Sequence, residues 1–250
     1  MTVEIALRAA RVRYGPLEVL HGVDLAVPAG TATVLLGRNG AGRTTVLRAL
    51  AGAVRLTGGQ VLWRGRDVTA LPAHRRARLG LAFVPDRRPV FGSLTVAENL
   101  ALFADEDRAH GTDDPALEAF PALRPLLARR AGTLSGGEQR MLAVSRALLG
   151  PPSRLVLLDE PGLGLSPAAA ARTYEVLAAL CAQGARTVVV AEQRLPEALR
   201  PVTAVVHELR RGSVVFSGEP GEPGELALRA AGSASPGPAG HPRPRPPHPG

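Results

Sequence analysis

One stretch constrains the fold more than any other: GRNGAGRTT, Gly37 to Thr45, lies between the apolar run TATVLL and the segment TTVLRALAG. The first reads as a buried strand. The second reads as a helix from Thr44, with Val46, Leu47 and Leu50 on one face and Gly52 as its stop. A glycine-rich turn between a strand and a helix lets backbone N–H groups converge on phosphate oxygens, and the helix N-terminus adds partial positive charge. The pattern G-x-x-x-x-G-K-[ST] is met at Gly37, Gly42 and Thr44, but its lysine position holds Arg43.

Composition bears on that exception. All 30 basic residues are arginine, and there is no lysine in the 250 residues. Ordinary usage would supply on the order of a dozen lysines. Arg43 is thus one member of a chain-wide bias, which arginine-favouring codon pressure explains together with the many Ala, Gly and Pro. The balance of 30 basic against 22 acidic residues gives +8, yet aromatics are only 3%. Scattered arginines with little to stack on bases read as a solvated surface, so no nucleic-acid partner is expected. One cysteine, Cys181, allows no internal disulfide and fits a reducing compartment. Glu4 and Arg8 fall too early for a secretory signal, and no run reaches the roughly 18 apolar residues of a membrane span. The expectation is a soluble, cytoplasmic chain.

Along the chain, EIALRAARVRY, VDLAV and TATVLL read as strands, and QVLWRGRDV as another with a turn at Gly65. From Leu94 to Gly150 the pattern is helical, through LTVAENLALF, PALEAFPALRPLLARRA and GGEQRMLAVSRALLG, with DEDRAHGTDD as an exposed loop. RLVLLDEP is a buried strand, AAAARTYEVLAALCAQG a helix, and RTVVVAE, TAVVHEL and SVVFSG further strands before a last short helix. Strand–helix alternation with a helical insertion over about 85–150 implies an α/β domain over 1–231. The tail 232–250, rich in Pro and Gly, cannot build a core and is expected to be disordered.

Two further motifs carry chemistry. LVLLDE, Leu155 to Glu160, ends a buried strand in two carboxylates. Asp159 suits Mg²⁺, directly or through water, and Glu160 suits polarisation of an attacking water, which together fit phosphoryl hydrolysis. Alone, such a pair is also a common solvated strand end. LSGGEQR, Leu134 to Arg140, opens a helix; Ser135 and Glu138 have the spacing of a capping box, and the two glycines leave amides bare for a γ-phosphate. Thr44 would offer its hydroxyl to Mg²⁺, with Thr45 one step further into the helix.

The loop, LSGGEQR and LLDEP, in that order and at that spacing, resemble the ATP-binding-cassette proteins over nearly the whole chain to about Gly232. AFVPDRRPVFGSLTVAENL, AGTLSGGEQRMLAVSRALL, DEPGLGLSP and VVVAEQ narrow the resemblance to the paired ATPase subunits of branched-chain amino-acid importers, with urea and short-amide carriers as relatives. The resemblance implies a P-loop NTPase-type (RecA-like) core, an N-terminal antiparallel β subdomain and an inserted α-helical subdomain. It implies ATP and Mg²⁺ as cofactors. ATP would be held by Tyr14, stacked on adenine, and by Gly37, Arg38, Asn39, Gly40, Ala41, Gly42, Arg43, Thr44 and Thr45. Metal contacts would come from Thr44, Asp159 and Asp86, the last standing where the family has glutamine or glutamate. Glu160 would be catalytic with Gln193, which occupies the place of a γ-phosphate-sensing histidine. Ser135, Gly136, Gly137 and Glu138 would reach the ATP of a second subunit, equal or different, in a head-to-tail dimer. The segment closed by Ser166 and Pro167 crosses to that subunit, and its Gly162 replaces a serine common there. Transmembrane permease subunits and an extracytoplasmic solute-binding protein complete the implied system, with this subunit peripheral on the inner membrane face. A hydrolytically weak regulatory half and the ATPase of an exporter are the alternatives; the solute is not encoded here.

Overall fold

Two sheets share one helix between them. In a computed structural model, the described residues are 2–87, 89–103, 115–149, 154–184 and 186–222. β1 (Val3–Tyr14) and β2 (Leu17–Pro28) form an antiparallel hairpin; β4 (Gly58–Trp63) joins β1, and β5 (Arg66–Asp67) joins β4, giving the order β2-β1-β4-β5. The second sheet contains β3 (Ala32–Leu36), β6 (Leu81–Val84), β7 (Leu155–Asp159), β8 (Thr187–Glu192), β9 (Thr203–Arg210) and β10 (Ser213–Gly218). Its order is β10-β9-β3-β8-β7-β6, parallel except for β10.

The helices are α1 (Arg43–Ala51), α2 (Ala73–Arg78), α3 (Val96–Ala101), α4 (Pro115–Ala119), α5 (Gly136–Leu149) and α6 (Pro167–Ala182). The unbroken apolar run of β7 follows from burial on both faces. Leu155 and Leu157 enter a core with Val46, Leu47 and Leu50 of α1 and the antiparallel sheet. Val156 and Leu158 enter a second core with Leu142 of α5, Leu177 of α6 and residues of α3 and α4. Cys181 lies in that second core, where burial pushes its thiol up to about 12.

The helical segment differs from its sequence reading in one respect. PALEAFPALRPLLARRA is not one helix: after α4 the chain makes 3-10 turns over Pro121–Leu126 and Ala131–Thr133. Pro121 and Pro125 lack the N–H that an α-helix requires, so the segment breaks where they stand. α2, β6 and a 3-10 turn over Glu197–Val202 were not anticipated. DEDRAHGTDD, the last short helix and the tail lie outside the described residues. Among the described residues no helix is long and apolar enough to cross a membrane.

Two buried side chains join the layers. Arg76 of α2, 1% exposed, donates to Ala49 O at 2.8 Å and Leu50 O at 2.7 Å, and also to Leu71 O, Val68 O and Thr69 O. It therefore adds a donor to carbonyls at the end of α1, where the helix itself has no further N–H for Leu50 O and only the Gly52 cap amide, at 3.2 Å, for Ala49 O. His207 of β9 is 3% exposed, with Nδ1 2.7 Å from Ser217 Oγ and Nε2 3.0 Å from Ala26 O. Burial holds this imidazole below its ordinary value. A depressed imidazole contributes stability that is complete above the unfolded value, about 6.5, and is lost as pH falls below it. Denaturant midpoints of the wild type are expected to drop between pH 7 and 5, and His207→Asn to flatten that slope. An unchanged slope would show that His207 does not carry it.

Candidate functional site

The loop Gly37–Gly42 leaves the C-terminal end of β3, the central strand, and enters α1 at Arg43. Its glycines are required by contact. A Cβ on Gly37 would stand 2.6 Å from Leu209 O, and Gly42 takes φ +107, where a Cβ would stand 3.1 Å from Leu20 Cδ2 and 3.3 Å from Gly212 Cα. Ala41 O accepts from Gly212 N at 2.9 Å, and Gly212 O accepts from His21 N at 3.0 Å. The loop is thus gripped between β2 and the β9–β10 turn. Arg38, Asn39 and Gly40 are exposed, whereas Ala41, Arg43 and Thr45 are buried. Tyr14 ends β1 at the hairpin with 42% of its surface exposed.

Arg43 is the first residue of α1 and only 6% exposed. Its guanidinium donates to Glu160 Oε1 at 2.5 Å and reaches Asn39 Oδ1 at 3.5 Å. Asn39 Oδ1 also accepts from Gln193 Nε2 at 3.1 Å. Three predicted positions from the loop, the end of β7 and the end of β8 are therefore joined to one arginine. Arg43 Nη1 is buried with no hydrogen-bond partner, so the guanidinium has capacity left for an acceptor.

Asp159 is 1% exposed and its Oδ2 has no hydrogen-bond partner. Burial raises its carboxyl, a Thr44 side-chain hydrogen bond lowers it, the charges of Asp86 and Glu160 raise it and that of Arg43 lowers it. Glu192 is raised too, first by burial. Glu160 itself sits in left-handed backbone at φ +47, with its N–H on Ala191 O at 3.0 Å. Asp86 lies beside β6, its carboxylate 3.7 Å from Arg48 and from Arg87.

The LSGGE segment opens α5. Ser135 N donates to Glu138 Oε2 at 2.7 Å and Glu138 N to Ser135 Oγ at 3.3 Å, a reciprocal cap that lowers the Glu138 carboxyl. Ser135 and Gly136 face outward, and a Cβ on Gly137 would stand 3.2 Å from Gly164 O. Sequence reasoning missed Arg140, the last residue of the same motif. It is 5% exposed and donates to Pro85 O at 2.7 Å, Asp86 O at 2.9 Å and Asp159 O at 3.4 Å. One side chain of α5 thus pins the backbone at Asp86 to the backbone at Asp159. In a chain whose cations are all arginine, nothing local marked it.

The arrangement can receive an anion at the loop and a divalent cation beside it. The unsatisfied Asp159 Oδ2, with the Thr44 hydroxyl on the same side chain, is the donor set Mg²⁺ takes when substrate phosphates supply further oxygens. Among the described residues no three His, Cys, Asp or Glu side chains form a self-sufficient metal cage.

Comparison with known proteins agrees with this geometry. The family model described as ABC transporter matches residues 20–162. The high-affinity branched-chain amino acid transport ATP-binding protein BraG of Pseudomonas aeruginosa is 42% identical over 81% of this chain and 87% of its own. The probable branched-chain amino acid transport ATP-binding protein LivF of Archaeoglobus fulgidus is 37% identical over 84% and 89%. The lipopolysaccharide export ATP-binding protein LptB of Acidithiobacillus ferridurans is 32% identical over 82% and 85%. In fold, the ADP conformation of MJ1267, an ATP-binding cassette, superposes with a TM-score of 0.73 at 23% identity, covering 92% of this chain and 96% of that one.

Proposed function

The chain belongs to the ABC transporter family of ATP-binding subunits, and we propose that it powers the import of branched-chain amino acids, or else of urea or short amides. It is an ATPase, and subunits of this kind dimerise and work with permease subunits. The observation that carries the solute class is the 42% identity to BraG across most of both chains. The proposed system adds a permease and an extracytoplasmic binding protein, with this subunit held at the cytoplasmic face through the permease.

At the site, the loop amides from Gly37 to Thr45 bind the phosphates and Tyr14 covers the base. Thr44 and Asp159 would hold Mg²⁺, which when bound neutralises phosphate charge; Asp86 stands as an outer contact. Ser135, Gly136, Gly137 and Glu138 face the nucleotide of the second subunit. Arg43 has two partners in succession. It is paired with Glu160; phosphate oxygens would compete for it, and its departure would free the Glu160 carboxylate to polarise water. Gln193, bonded to Asn39, is positioned to follow the γ-phosphate. Binding and activation of the acid are then one event rather than two.

The test is reconstitution with the native permease in proteoliposomes, followed by ATP-driven movement of radiolabelled leucine and valine in the presence of the binding protein. Uptake at the binding-protein face is expected. Movement in the opposite direction, or none for these solutes while ATP is consumed, would remove the import reading.

A further inference from the structure

Tyr174 lies in none of the motifs that mark the site. It projects from α6, and its hydroxyl donates to the carboxylate of Glu192, the last residue of β8. A Cβ placed on Gly162 would stand 2.5 Å from that same hydroxyl oxygen and 3.1 Å from the ring carbon that bears it. The phenol therefore occupies the volume that any side chain at 162 would need. Tyr174 thus packs against Gly162 while its hydroxyl is bonded to Glu192. These three groups close around the turn that begins at Glu160. That residue keeps φ +47, a conformation that a non-glycine residue holds only when its surroundings enforce it. Its other restraint comes from the same strand end, through Ala191 O.

We infer that Tyr174 is a positioning residue for hydrolysis: by tying Gly162 to Glu192 on either side of Glu160, it holds that carboxylate in its reacting place. The position at 162 is a glycine because the tyrosine hydroxyl fills the space beside it. Burial keeps the phenol well above its usual range, so the hydroxyl remains a donor to Glu192 throughout the physiological pH range. This inference rests on the role given above to Glu160.

The experiment compares Tyr174→Phe, Gly162→Ser and the double variant in the full chain, reading kcat and KM for ATP together with nucleotide binding. Tyr174→Phe keeps the ring packing and removes one oxygen. It is expected to lower kcat about tenfold or more, the scale of a small misplacement at a reacting centre, with KM and binding nearly unchanged. Gly162→Ser alone is expected to lower kcat as well, because its Cβ meets the phenol. In the double variant the serine hydroxyl enters the vacated place, and kcat recovers above either single variant. An unchanged kcat in Tyr174→Phe overturns the inference, as does a double variant no better than the singles. Glu160→Gln is run beside them. If turnover survives it, the reading of Glu160 fails; if it abolishes turnover while Tyr174→Phe has no effect, only the positioning role of Tyr174 fails.

Discussion

Replacing Glu160 by glutamine is expected to lower ATP turnover by roughly 10²–10⁴, the range for loss of a group that takes a proton in the transition state. Nucleotide affinity should move the other way. Glu160 neutralises Arg43, an arginine with little exposure and one terminal nitrogen left unpartnered. Removing the carboxylate strands that charge, and a stranded buried cation is destabilising until an anion arrives. The apo variant should therefore melt earlier than wild type, and ATP should raise its midpoint by more than it raises that of wild type. Single-turnover hydrolysis and thermal melts with and without nucleotide measure both halves. Turnover within twofold of wild type would assign the water-polarising role elsewhere. A smaller nucleotide-induced shift would mean that Arg43 does not transfer to the phosphates.

Arg76→Met is expected to cost about 3–5 kcal/mol of stability, since each buried carbonyl left without a donor costs about 1–3 kcal/mol and some of them keep a backbone partner. Five backbone carbonyls accept from this side chain, and methionine offers them nothing. Two of those carbonyls end the helix whose other end forms the phosphate loop. Arg76→Lys should rescue only a fraction, since one ammonium cannot copy a planar fork that reaches in several directions. Urea unfolding reads the difference directly. A cost below about 1 kcal/mol would mean that water replaces the guanidinium, and the link between α1 and α2 would then be dispensable.

The parts of the site that lie in one continuous stretch were legible in the sequence. The loop, the carboxylates after β7 and the capped start of α5 each declare themselves by local spacing, and the parallel core followed from strand–helix alternation. What local spacing could not convey was who pairs with whom. Arg43 and Glu160 are separated by 117 residues, and their contact arises because β3 and β7 flank β8. Arg76 and Arg140 were hidden by abundance: among 30 arginines, the buried ones carry no mark of their burial. β6 was overlooked because LAFV is too short to show a period, and α2 because AHRRAR has almost no apolar face. Gly162 was visible as a departure from its relatives, but its reason lies twelve residues on, at Tyr174, and shows only when the turn folds over α6.

The grip of the β9–β10 turn on the loop also sets an order of events during synthesis. β3 and the loop leave the ribosome early, yet their hydrogen-bonded neighbours β8 and β9, and the Gly212 amide that fastens Ala41, come from the last part of the chain. At roughly 5–20 residues per second, those partners follow on the order of ten seconds later or more. Through that interval the central strand has both edges open, and the loop lacks one of its walls. A nascent chain therefore gains its phosphate site only after Gly212 has been made, and the unpaired backbone edges of β3 are what a chaperone would have to cover until then.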